Sequence, residues 1–460
     1  MMRRSRYGAL AGLATLGLSG VAFGQATAQQ GGVSVTADVD SAVIADSNRA
    51  LDPDGGDSSL VSETTIDLML RDRTRLSELA LGFGGALRAG DASVEQGLAD
   101  AYVDLSFGRE TPDAAVSAGV RHESIDLSFA DPLTQDEIED NTISATRGDR
   151  ETTFLSAGVE IGRQAPIGVS LDLSHRSVNY TDTFDPDLFD SETDRATVAA
   201  TLRVSPAETA TLSFGIDRYE AEDADATRRD TTTLNLGYAR DLSPVTSIDA
   251  GIGLTEIDED LTAPGAGAGT DRSNATARIA VNRDLSLGEI GLSATSSLTS
   301  TGQRNNLEIT RAFERRRDSL SARLGISDSD SGDLETIAAV DYTRRVPAGE
   351  LGLSFSRSVT TSDDSDDLLI TRAGASYTLS LSARDRLSLG ADVTDISEAG
   401  AGNTDDEQRG SLSASWSREV TRDWGLSLGY EFDYSDEAGR GVAESHSVSL
   451  SLGRSFSFRP

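Results

Sequence analysis

From about residue 32 onward this chain alternates apolar and small polar residues in runs of roughly ten, with almost no helical spacing between them. The stretch "RDTTTLNLGYARDLSPVTSIDAGIGLTEIDED" shows the unit. Leu234, Leu236 and Tyr238 alternate with Asn235, Gly237 and Ala239, a turn with Asp241, Ser243 and Pro244 follows, and Ile248, Ala250, Ile252 and Leu254 then alternate with Asp249, Gly251, Gly253 and Thr255. A period of two places one set on each face of an extended strand. One such strand needs a core to lean on; a chain made of them needs something to cover a whole sheet.

The unit repeats every 35 to 40 residues or so as strand, short turn, strand and longer loop. Counting turns gives about 22 strands, within a range of roughly 18 to 24. The two kinds of connection differ. One kind is short and carries arginine, as at Arg109, Arg163, Arg240, Arg283, Arg315 to Arg317 and Arg418. The other is longer and acidic or glycine-rich, as in "LDPDGGDSS", "DPLTQDEIEDNTISATRGD", "TFDPDLFDSETD" and "SEAGAGNTDDEQ". Their regular alternation means that all hairpins point the same way.

No helices are expected that could cover the apolar face, and a hydrophobic content of 37% is low for a packed core. Lipid removes both difficulties. A closed antiparallel transmembrane β-barrel pairs every backbone group around its ring and needs apolar residues only at alternate positions. The expected fold is therefore all-β, a single barrel over residues 29–460 with short periplasmic turns and longer acidic extracellular loops.

Residues 1–28 read as a signal peptide: Arg3, Arg4 and Arg6, then an apolar run from about Tyr7 to Ala22, with cleavage expected after Gly24 or Ala28. The run is short for a permanent transmembrane helix. The formal charge of −35 argues against nucleic acid as a partner, and the absence of cysteine excludes disulfides and thiolate metal sites.

The pattern resembles a Gram-negative outer-membrane β-barrel. Tyr238 to Thr246, "YARDLSPVT", is similar to β-barrel porin families, some associated with exopolysaccharide secretion. That resemblance implies the outer membrane as the location, with lipid, lipopolysaccharide and the barrel-assembly machinery as partners. It also implies that the closing strand acts as the assembly signal, here Val448, Leu450, Leu452, Phe456 and Phe458 together with Tyr434. Arg459 and Pro460 stand where an aromatic residue usually ends such a chain. TonB-dependent transporters also have 22 strands but enclose a plug; strand-like alternation starts here near Val33 and leaves no room for one.

The face opposite the apolar one is small and polar, with Asp100, Asp104, Asp172, Asp217, Asp249, Asp392 and Glu431 as candidate pore-lining acids. Arg203, Arg278, Arg323 and Arg372 are candidate pore-lining bases. Such small residues cannot fill a wide barrel, so a hydrated lumen is expected. The 128–149 segment is the longest loop and the candidate constriction; Asp131, Asp136, Glu137, Glu139 and Asp140 lean it toward cations. Weak calcium candidates are Asp52, Asp54 and Asp57 in "DPDGGD", and Asp328, Asp330 and Asp333 in "DSDSGD", without the full spacing of a calcium loop. Tyr238, Phe355, Trp416, Trp424, Tyr430, Phe432 and Tyr434 are candidates for interfacial girdles.

His122, His175 and His446 are isolated within strands, so no catalysis and no cofactor are expected. The expected function is a porin-like channel for passive diffusion of small hydrophilic solutes. The alternative is an accessory of surface-polysaccharide export that docks to export proteins through its arginine-rich turns. A secreted soluble β-repeat protein fits less well, because it predicts equal loops on both sides.

Overall fold

The structure, a computed structural model, describes residues 31–459 except 54, 57, 92–95, 130–147, 184–187, 265–266, 268, 331–333, 362–366, 400–406 and 439–440. Within them lie 22 strands and one 3-10 turn, Leu127–Phe129. The first eight strands are β1 (Gly32–Asp46), β2 (Ser59–Arg73), β3 (Ser77–Gly90), β4 (Gly97–Glu110), β5 (Ala114–Asp126), β6 (Asp149–Ile161), β7 (Ile167–Thr181) and β8 (Ser191–Ser205). Then come β9 (Glu208–Ala221), β10 (Thr227–Ser243), β11 (Thr246–Leu261), β12 (Thr270–Leu285), β13 (Gly288–Thr299), β14 (Gly302–Glu314) and β15 (Asp318–Ser329). The last seven are β16 (Glu335–Val346), β17 (Gly349–Thr361), β18 (Asp367–Ser380), β19 (Asp385–Glu398), β20 (Glu407–Glu419), β21 (Trp424–Glu437) and β22 (Gly441–Phe458).

Each strand pairs antiparallel with the next, and β22 closes on β1 with Phe458 opposite Val35 and Val448 opposite Ala45. The result is the closed all-β barrel expected from the alternation, with no free edge. A ring of 22 strands, spaced ~4.8 Å and tilted ~40°, is about 40 Å across. Strands run from 12 residues in β13 to 18 in β22, longer than the roughly ten expected. The extra length is polar wall beyond the apolar zone: in β11 the outward positions Ile252 and Leu254 give way to Glu256, Asp258 and Asp260. These residues resemble loop in sequence, yet they are held in the ladder.

Connections at one end are short, with two residues at 206–207, 244–245, 286–287 and 347–348. At the other end they reach 12 residues at 47–58 and 22 at 127–148, although 300–301 is as short as any turn. Gly288 opens β13 at φ +102, and a Cβ there would lie 2.1 Å from the carbonyl oxygen of Ala312. Only glycine fits both the backbone angle and the contact.

The outward face is apolar and uncovered by protein: Ile252 is 66% exposed and Leu254 59%, and Leu212, Leu236, Leu292 and Leu450 are all exposed. Water-soluble chains do not present continuous apolar belts of this extent. Among the described residues, no helix is long and apolar enough to cross a membrane; here strands carry the apolar zone.

Candidate functional site

The inward face is the candidate site. Ten of the eleven pore-lining candidates lie on it by ladder parity, and Asp100 of β4, unpaired in a bulge, reaches it by contact with Arg88. The first of the ten are Asp104 in β4, Asp172 in β7, Arg203 in β8, Asp217 in β9 and Asp249 in β11. Arg278 follows in β12, Arg323 in β15, Arg372 in β18, Asp392 in β19 and Glu431 in β21. Their neighbours on this face are mostly Ser, Gly, Thr and Ala.

The charges are largely arranged in opposed pairs on neighbouring strands. Arg278 Nη2 lies 2.7 Å from Asp249 Oδ1, Arg195 donates to Asp217, and Arg323 stands 3.8 Å from Glu308. Asp104 faces Arg121 across the β4–β5 ladder. Arg372 and Asp392 line a recess of about 390 Å³ together with Asp341, Ser354, Ser356 and Ser411. Arg203 has a local task as well: its Nη1 donates to the carbonyls of Gly162 (2.9 Å) and Ala165 (3.0 Å), capping the β6–β7 turn.

The two ends of the lumen differ. Toward the turns the inward side chains are open. Toward the loops they are buried, as Val61, Arg88, Thr394, Arg409 and Ser445 are. At that end Arg88 of β3 is the hub. Its side chain is 2% exposed and meets three carboxylates, Glu63 of β2 (2.6 Å), Asp126 of β5 (3.2 Å) and Asp100 of β4. Asp100 reaches it from a bulge, where β4 holds one residue more than β3 and Asp100 adopts φ +47. Asp100 Oδ1 also accepts the Asp126 backbone N–H at 3.0 Å, and Asp126 Oδ1 accepts the Ser128 backbone N–H (3.0 Å) and hydroxyl (2.6 Å).

Those bonds turn the chain inward after β5. The Phe129 ring lies 3.5 Å from the Arg88 guanidinium carbon and 4.1 Å from that of Arg49. Burial pushes the Arg49 guanidinium below its usual pKa, an effect that the Asp46 carboxylate opposes in part. The first residues of the longest loop thus pack against the wall at the loop end. Asp131, Asp136, Glu137, Glu139 and Asp140 lie outside the described residues.

A second tie narrows the same end. Asp367 at the start of β18 accepts from the hydroxyls of Thr301 (2.8 Å) and Thr361 (2.9 Å) and from Arg304 of β14. β14 and β18 stand four places apart in the wall, so this bridge spans the end of the β15–β16 hairpin.

The weak calcium candidates are scattered. Asp52 receives the Asn48 amide on its carbonyl (3.0 Å), Asp330 accepts the Gln303 N–H (3.0 Å), and Asp328 lies on the outward face of β15. Asp54, Asp57 and Asp333 are outside the described residues. All seven girdle aromatics point outward, and so do Val448, Leu450, Leu452, Phe456 and Phe458. Arg454, which interrupts that series, stacks on Phe456 (4.3 Å) and Trp424 (5.3 Å). Sequence reasoning missed Arg88, Glu63, Asp126 and Phe129. The available signal was Arg88 at a small-residue position of "LGFGGALRAG", where parity already points it inward.

No protein-family model matches this chain, and no curated protein matches its sequence. Solved structures do match its fold. The fold is one shared with outer-membrane receptors of known structure. The ferric-catecholate import receptor Fiu from E. coli K12, in its open form, superimposes with a TM-score of 0.56 at 11% identity, over 93% of this chain and 82% of that one. The siderophore receptor PirA from Acinetobacter baumannii gives 0.57 at 7% identity, over 94% and 81%. The FrpB iron transporter from Neisseria meningitidis gives 0.56 at 9% identity, over 93% and 83%. At such identities the likeness is one of fold. Among the described residues of this chain there is no plug domain.

Proposed function

We propose that the chain is an outer-membrane transport barrel that passes small hydrophilic solutes down their gradient through its lumen. One observation carries this reading: a ring of 22 strands, about 40 Å wide, faces inward with Ser, Gly, Thr and paired charges, which are too small to fill it. The filter is at the loop end, where the Arg88 hub, Phe129 and the Arg304–Asp367 bridge narrow the mouth. Pairs such as Arg278 and Asp249 offset part of the charge. Further inward acids, such as Asp38 and Asp40 in β1 and Glu431 and Asp433 in β21, leave the described wall acidic, so the lumen filters by size and leans toward cations.

The orientation follows from the outward arginines at the turn end, among them Arg240, Arg283, Arg344, Arg418 and Arg454. Their stems cover apolar wall and their heads reach anionic inner-leaflet phosphates, which puts the turns in the periplasm. Insertion by the barrel-assembly machinery through the β22 aromatics belongs to the same reading.

Swelling of proteoliposomes in sugars of graded size tests it. Swelling that falls with sugar size and is absent from protein-free vesicles is the expected result. Folded barrels that admit none of the sugars would overturn passive diffusion.

A further inference from the structure

We propose that His175, Asp194 and Glu192 form a binding site for a divalent first-row transition ion on the outer rim of the barrel. Among the described residues this is the one place where three such groups bring ligand atoms within 4.8 Å of one another. The ladder builds it. His175 of β7 stands directly opposite Asp194 of β8, and Glu192 lies two residues along on the same outward face. Leu173 and Ala196 are the next outward pair toward the turns, so the site lies at the loop-side margin of the apolar belt.

His175 hydrogen-bonds Asp194, and a metal at the same place would serve both carboxylates where one proton serves only one. His175 Nδ1 lies 2.9 Å from Asp194 Oδ1 and 3.4 Å from Glu192 Oε1. One ring nitrogen carries at most one proton, so it satisfies one carboxylate well and leaves the second close to a like charge. Ligands held ~2.1 Å from a tetrahedral Zn²⁺ are separated by about 3.4 Å, which matches the Glu192 distance of 3.4 Å and exceeds the Asp194 distance of 2.9 Å. One imidazole and two carboxylates suit Zn²⁺ or Cu²⁺, and the remaining position opens outward. Arg218 of β9 faces Asp194 from the other side, but its Nε donates to Asp230 at 2.8 Å. It leaves Asp194 available while lowering the local affinity for a cation.

The other two histidines serve as internal controls. His122 Nδ1 pairs with the Thr153 hydroxyl at 2.9 Å and His446 with the Tyr430 hydroxyl at 3.0 Å, each with a single polar neighbour at that nitrogen.

The test is calorimetric titration of the refolded full chain with Zn²⁺, with Co²⁺ absorption reporting coordination number. We expect one saturable equivalent and a tetrahedral Co²⁺ band. Both should vanish in His175→Ala and persist in His122→Ala and His446→Ala. Asp194→Asn and Glu192→Gln should each weaken binding at least tenfold, and Arg218→Gln should tighten it. Heat-modifiable gel mobility checks that each exposed-site variant is folded. Absence of saturable binding to the folded chain, or binding by His175→Ala equal to that of the unaltered chain, overturns the proposal.

Discussion

The guanidinium carbon of Arg88 lies 3.5 Å from the centre of the Phe129 ring. This contact joins the barrel wall to the start of its longest loop. It stands on a network in which four consecutive strands, β2 to β5, each contribute a charged residue near the loop end: Glu63, Arg88, Asp100 and, from the last position of β5, Asp126. The cluster that holds these strands together also fastens the start of the loop to the wall.

Arg88→Ala leaves Glu63, Asp100 and Asp126 facing one another without their cation. Breaking a buried ion network by removing one partner costs about 3–5 kcal/mol. We expect a loss of that size in equilibrium urea unfolding of the barrel in lipid vesicles. Arg88→Lys should fall between, because an ammonium is a point charge without the planar fork that meets three carboxylates at once.

Leu236 and Asn235 are neighbours in β10 that face lipid and lumen respectively. Leu236→Arg should destabilise the barrel by about 2–4 kcal/mol, the cost of a cation near the bilayer midplane. Asn235→Arg should cost far less and act instead on conductance. Equal losses in vesicle unfolding would contradict the assignment of the two faces.

Gly84 is a point of close approach. The Tyr102 hydroxyl donates to Asp67 Oδ1 at 2.8 Å, and the ring passes over β3 where a Cβ on Gly84 would lie 2.7 Å from it. That Cβ would also lie 2.7 Å from the Ile66 carbonyl. Backbone cannot yield as a side chain does, so we expect Gly84→Ala to cost about 1–3 kcal/mol. Tyr102→Phe in the Gly84→Ala background should recover little of the loss, since the ring still covers the position.

Arg278→Glu replaces the basic half of the Asp249 pair, removing one positive charge from the lumen wall and adding one negative charge. The reversal potential under a salt gradient should shift toward cations, more at low ionic strength than at high, as screening requires. An unchanged potential would place this pair outside the conducting path.

Much of the barrel is legible in the sequence because its folding rule is local. Period two assigns a face to each residue, and two-residue turns such as 286–287 fix the register of their hairpins. Parity alone therefore separates Leu236 from Asn235, and Trp416 from Ser415. Strand length was less legible, because Glu256, Asp258 and Asp260 read as loop although they are paired with β10 and β12. Convergence of side chains from separate strands was not legible. Glu63, Asp100 and Asp126 meet at Arg88 only through the stagger of β2 to β5 and a bulge that inserts one residue in β4. Likewise His175 and Asp194 become opposed only once the β7–β8 register is set.

Single-channel recording of the refolded chain in a planar bilayer addresses the central claim most directly. We expect stable, ohmic steps whose size rises in Phe129→Ala, because removing the ring unfastens the loop from Arg88 and Arg49. A heat-modifiable barrel that inserts into the bilayer but passes no current, with Phe129 or without it, would contradict a conducting lumen.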